Sequence, residues 1–232
     1  MTLKFVSLAL ATTALVGLAL PLAAQDKTGS NVDPAATGTP GGASTMAMSQ
    51  ELYAIGAASG DALTVLTAAK LAMSVEVKDG GEIKKTTTGT APADDVEGAG
   101  DKPVDAMMML AKAKELAADD EAVLGLIADA EAEGSRGRVG GAVSWLSRLP
   151  SGQQDVWEIP FYGNSYAEIA VVGDGDADLD VAVTDENGNT ICYDVSWSDK
   201  VYCDFTPAWD GYFYVTVENR GGSRNSYYLM TN

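Results

Sequence analysis

Apolar residues recur with a helical period in two Ala-rich stretches: Leu52, Ile55, Leu63, Leu66 and Met73, then Met107, Leu110, Leu116, Val123, Leu126 and Ile127. Ser59-Gly60-Asp61 interrupts the first stretch and Ala118-Asp119-Asp120-Glu121 the second. In each a short polar side chain can cap the helix that follows, so the pattern predicts two helix pairs. From residue 155 the period shortens. β-rich runs at 155–161, 166–172, 178–184, 190–194, 201–206, 211–219 and 225–230, spaced by turn residues, predict seven short strands and a β-sandwich. Asn187-Gly188 falls between two of them as a hairpin signal, with further turns at Pro207, Gly211 and Gly221-Gly222.

The expected fold class is therefore α+β in separate parts: N-terminal Ala-rich helical hairpins followed by an all-β sandwich. Aromatic usage supports the division, because only Tyr53 lies between residues 25 and 144 while all four tryptophans come later. Residues 1–24 carry Lys4, an apolar run from Phe5 to Leu22 and a small-residue exit at Ala23-Ala24, which is the pattern of a secretory signal peptide. Residues 25–44, rich in Gly, Pro, Thr and Ser, read as a flexible leader. The helical region spans 45–134, with a disordered linker at 79–102, and a second linker at 135–150 precedes the sandwich at 151–232. A modest internal match at an offset of 60 sets Ala57, Ala62 and Leu66 against Ala117, Ala122 and Leu126. Two such pairs are too few for a solenoid and suit one small bundle.

The formal charge of −18 becomes −19 once residues 1–24 are removed, since they hold Lys4 and no acid. Such a chain repels phosphate polymers, so a nucleic-acid partner is not expected, nor is a membrane span after signal cleavage. The expected location is secreted or periplasmic, with an unknown protein or polysaccharide partner. In that oxidising setting Cys192 and Cys203 are expected to pair.

Residues 171–194, VVGDGDADLDVAVTDENGNTICYD, hold the densest chemistry. Leu179, Val181 and Val183 alternate toward a core, which leaves Asp178 and Asp180 on the other face after Asp174 and Asp176 on a Gly-rich approach. Asp174, Asp176, Asp178, Asp180 and Asp185 are candidate calcium ligands, because calcium accepts six to eight oxygens in tolerant geometry. The alternative is that they solubilise a turn. An EF-hand is ruled out, with Leu179 where that loop needs Gly and Asp185 where it needs Glu.

Gly173-Asp-Gly-Asp-Ala-Asp-Leu-Asp-Val, Asp185-Glu-Asn-Gly-Asn, Thr206-Pro207, Gly211-Tyr212 and Val215-Thr-Val217 together resemble the bacterial pre-peptidase C-terminal domain over residues 150–232. The resemblance implies a small jelly-roll-like, non-catalytic module associated with secretion, substrate attachment or calcium-dependent stability. No peptidase accompanies it.

With no histidine in the chain, Ser-His-Asp and Cys-His catalysis and His-ligated zinc are excluded. No phosphate-binding loop is present. A carboxylate-only glycan hydrolase remains as the catalytic alternative, with Glu158, Glu168, Asp194, Asp199, Asp204 and Asp210 as its acids. The favoured reading is a non-enzymatic attachment or interaction protein, with Trp197, Tyr202, Trp209 and Tyr212, joined by Tyr214, as recognition aromatics, and a purely structural, calcium-stabilised envelope protein is the other alternative. The competing expectation for these rings is that they fill the core.

Overall fold

The computed structural model describes residues 27–93, 102–134 and 141–232. The signal peptide expected at 1–24 lies outside the described residues. N-terminal helices are followed by two β-sheets, and short strands also appear between the helix pairs.

Helix α1 (Gly42–Ser59) and α2 (Ala62–Ser74) form the first pair, α3 (Ala106–Ala117) and α4 (Glu121–Glu133) the second. Their boundaries follow the expected caps. Gly60 takes a left-handed conformation at φ 69°, which glycine adopts without strain, and closes α1. Asp61 then accepts the amides of Leu63 and Thr64 to open α2, and Asp120 does the same for Ala122 and Val123 at α4. Leu66, Met109, Leu110 and Ile127 fill the core shared by α2, α3 and α4. Of the consecutive Met107, Met108 and Met109 only Met109 is buried there, while the other two stay exposed.

Among the described residues ten strands form the two sheets: β1 (Glu76–Asp79), β2 (Lys84–Gly89), β3 (Gly141–Leu149), β4 (Gln153–Phe161), β5 (Ala167–Gly173), β6 (Leu179–Asp185), β7 (Thr190–Asp194), β8 (Lys200–Phe205), β9 (Gly211–Asn219) and β10 (Asn225–Thr231). One sheet has the order β1-β3-β10-β5-β8 and the other β2-β4-β9-β6-β7. Among the described residues only β1 and β3 pair in parallel; every other neighbour is antiparallel. Inward residues of both sheets, among them Ile169, Val171, Leu229, Trp157, Val183 and Val215, make one apolar cluster. On the outer face of the first sheet Ala43 and Ala47 of α1 meet Ala170, Val172 and Met230, and the three alanines let helix and sheet approach closely.

The seven expected strands correspond to β4–β10, and three more exist. The linker expected at 79–102 carries β2, and the one expected at 135–150 carries β3. β2 is exposed along its whole length, so it lacks the apolar alternation that marks a strand in sequence. The segment expected as a flexible leader packs against the β part from residue 27 onward. Asn31 is fully buried, and its Nδ2 donates to Trp209 O at 3.1 Å while its Oδ1 accepts Trp209 N at 2.9 Å.

The two sides of the sheet pair are crossed differently. The connection between β1 and β2 passes from one sheet to the other beside β3 and β4. On the opposite side the Cys192–Cys203 disulfide ties β7 to β8, with the Cα atoms 6.4 Å apart.

Candidate functional site

The aspartates proposed as calcium ligands are not gathered into one site. Asp174 Oδ2 accepts Ser226 N at 2.8 Å, and its Oδ1 accepts Asp176 N at 3.1 Å. Asp178 Oδ1 accepts Ser198 N at 3.0 Å, and Asp180 faces Arg220 Nε at 3.5 Å. Asp185 sits at the far end of β6, and a seven-residue strand spans about 20 Å. Among the described residues no group of three or more His, Cys, Asp or Glu is placed to hold a metal ion. Asp174, Asp178 and Asp185 instead brace loops by accepting backbone amides. Burial pushes the Asp174 and Asp180 carboxyls up from the usual range, Asp180 further so beside Asp178. Burial also pushes Asp185 upward, but the amides of Asn31, Asn189 and Asn187 and the Asn189 side chain outweigh it and hold the carboxyl below its ordinary value.

Of the acids of the hydrolase alternative, Glu168 and Asp204 are cross-strand partners on β5 and β8, linked through the Tyr202 and Tyr166 hydroxyls, and the other four lie on different strands and loops. Glu158 pairs with Lys84 at 2.6 Å and Asp199 with Lys200 at 2.6 Å. Asp194 accepts Ser196 N, Asp204 accepts the Tyr166 hydroxyl, and Asp210 accepts Gly163 N. Glu168 lies buried beneath α1, where Oε1 accepts Gly41 N at 2.9 Å and the Tyr202 hydroxyl at 2.8 Å, while Oε2 has no hydrogen-bond partner.

A polar network bridges the sheets behind β2. Asp155, fully buried on β4, accepts Ser147 Oγ at 2.6 Å, the Tyr227 hydroxyl at 2.7 Å, Lys85 Nζ at 3.2 Å and the Thr87 hydroxyl. Lys85 Nζ also lies 2.8 Å from Ser147 Oγ, the spacing of a Ser-Lys pair. Lys85 Nζ donates to that hydroxyl and lies 5.2 Å over the Trp157 ring, while the hydroxyl itself donates to Asp155. The network ties β2 and β4 of one sheet to β3 and β10 of the other.

Beside it three neighbouring clefts, linked by shared lining residues, make a discontinuous groove from the β1–β2 connection to the start of β9. Pro160, Phe161, Tyr162 and Tyr212 line the first, about 410 Å³, together with Glu186 and Asp210. The second, about 490 Å³, shares Pro160, Phe161 and Tyr162 and adds Ile83, Val143 and Trp145. The third, about 790 Å³, shares Ile83 and Trp145 and reaches Trp157, Lys84 and Lys85. Trp145 is fixed in the wall by donating Nε1 to Gly81 O at 3.0 Å and by packing 6.3 Å from the Trp157 ring. Glu186 is fixed at the other end, accepting Trp209 Nε1 at 2.6 Å and Asn31 Nδ2 at 3.2 Å.

Of the expected recognition aromatics, Tyr212 lines this groove and is 51% exposed. Trp209 is buried and serves the N-terminal strap. Tyr202 lies on the outer face of the other sheet, where burial, then Tyr166 and Glu168, raise its hydroxyl far above the usual range. Trp197 projects from the β7–β8 loop, 97% exposed. Tyr214 is partly buried on β9. Trp145, Phe161 and Tyr162 were not among the expected aromatics. For Trp145 the run Gly141-Ala-Val-Ser-Trp-Leu-Ser-Arg-Leu149 between Gly140 and Pro150 was the available signal.

No family model matches the chain, and no curated protein matches it. Among solved structures it is similar to the pre-peptidase C-terminal domain of a collagenase from Bacillus anthracis, at 8% sequence identity and a TM-score of 0.29, over 68% of this chain and 94% of that one. The likeness is weak, partial and confined to the fold. Among the described residues no helix is long and apolar enough to cross a membrane.

Proposed function

We propose that this chain is an exported, non-catalytic attachment protein whose β part is a jelly-roll sandwich holding an extended polysaccharide in the aromatic groove. Strand order supports the jelly roll: counted from β3, the sheets run 1-8-3-6 and 2-7-4-5, the order produced when a long hairpin rolls up into two sheets. The disulfide suits an oxidising extracytoplasmic compartment.

The observation that carries the reading is the set of rings lining two neighbouring clefts, Tyr162 and Tyr212 with Glu186 and Asp210 in one and Trp145 in the other, with Phe161 between them packed on Phe205 and Phe213. Flat apolar faces at intervals suit the C–H faces of successive sugars, and fixed carboxylates suit their hydroxyl donors. Retention of the full mature chain during electrophoresis through gels containing cellulose derivatives, glycol chitin or soluble peptidoglycan tests it. At least one polymer is expected to retard the protein without release of reducing ends. Tyr162→Ala and Tyr212→Ala should each weaken retention about tenfold. Unretarded migration in every polymer, or retention unchanged in both variants, would refute the groove.

A further inference from the structure

The β7–β8 loop carries a second surface, remote from the groove along β6. Tyr193, Val195 and Trp197 are 70%, 64% and 97% exposed at alternating positions of one short segment. A tryptophan held wholly in water is the side chain most expected at a binding hot spot. The segment is also braced. Asp194 Oδ1 accepts Ser196 N at 2.8 Å and Ser196 Oγ at 2.6 Å. Ser198 N donates to Asp178 Oδ1, and Ser198 O accepts Leu179 N at 3.1 Å. The Cys192–Cys203 bridge closes the base. A surface fixed before binding loses little entropy when it is covered.

Its charge is one-sided. Asp178 and Asp194 accept neutral N–H and O–H groups, whereas the nearby cations are already paired, Lys200 with Asp199 and Arg220 with Glu218 at 2.7 Å. We propose that the Trp197 loop is a docking site for an extended, Lys/Arg-bearing segment of a partner protein. A guanidinium or ammonium stacks on the exposed indole and pairs with Asp194 or Asp178, and the segment's aliphatic stems cover Val195 and Tyr193. A second copy of this acidic chain would bring like charges together and fits less well. The site is independent of the glycan groove, and together they make the protein an adapter between a basic protein and a polymer.

A phage-displayed random peptide library panned on the full mature protein tests this, with the enriched peptides then synthesised and titrated against wild type, Trp197→Ala and Tyr212→Ala. Enriched peptides should be rich in Lys and Arg. Trp197→Ala should weaken them about tenfold at an unchanged melting temperature, Tyr212→Ala should leave them unaffected, and raising the salt should weaken binding. No enrichment, enrichment of neutral or acidic peptides, or equal binding to Trp197→Ala would overturn the proposal. So would a wild-type dimer in sedimentation equilibrium, or polysaccharide retention, that Trp197→Ala abolishes.

Discussion

Trp157 on β4 and Tyr227 on β10 meet across the sheet interface, where Trp157 Nε1 donates to the Tyr227 hydroxyl at 2.7 Å and the rings meet edge to face with centroids 6.4 Å apart. The same hydroxyl donates to Asp155, so one oxygen serves a buried donor and a buried carboxylate. Burial and the nearby Asp155 charge raise the Tyr227 hydroxyl well above its usual range, which keeps it protonated and donating. Tyr227→Phe leaves the Trp157 N–H without an acceptor and removes one donor from Asp155. The expected loss is about 1–3 kcal/mol, read as a lower urea midpoint at an unchanged slope.

The N-terminal strap is held by Asp185, whose Oδ2 accepts Asn31 N at 2.8 Å. The Asp185 carboxyl lies below its unfolded value in the folded protein. Its stabilisation is therefore present above about pH 4 and is lost as pH falls through that lowered value. Asp174, raised by burial, has the opposite sign: its contribution is present in acid and fades as pH rises through its folded pKa. Hydrogen exchange at residues 29–33, corrected for intrinsic rates, should show the strap loosening on acidification. Asp185→Asn should loosen it already at neutral pH and flatten the acid step.

Gly80 crosses directly over Trp145, and a Cβ at residue 80 would lie 2.0 Å from the indole. Gly80→Ala should cost about 1–3 kcal/mol through overpacking and displace the groove wall, seen as a lower melting temperature. Adding Trp145→Ala removes the clash, so the double variant should lose less stability than the two single losses combined.

Much of the secondary structure was legible because periodicity and caps are local. Asp61 and Asp120 bond amides two and three residues ahead, so the starts of α2 and α4 follow from short-range chemistry. Leu179, Val181 and Val183 announced the inward face of β6 for the same reason. The sequence also determined that histidine chemistry is absent and which two sulfurs could pair. The tertiary structure alone decided the rest. β2 is a strand because β4 supplies its hydrogen bonds, a relationship to which its own exposed Lys and Thr residues give no clue. The acceptor-rich aspartates face amides brought from residues 20 and 52 positions away, or from Asn31, so their role depended on how the loops met. Tyr212 alone of the expected aromatics entered the groove, because a groove wall is assembled from strands distant in sequence. Alternation tells which face a ring leaves from, but only packing tells what stands opposite.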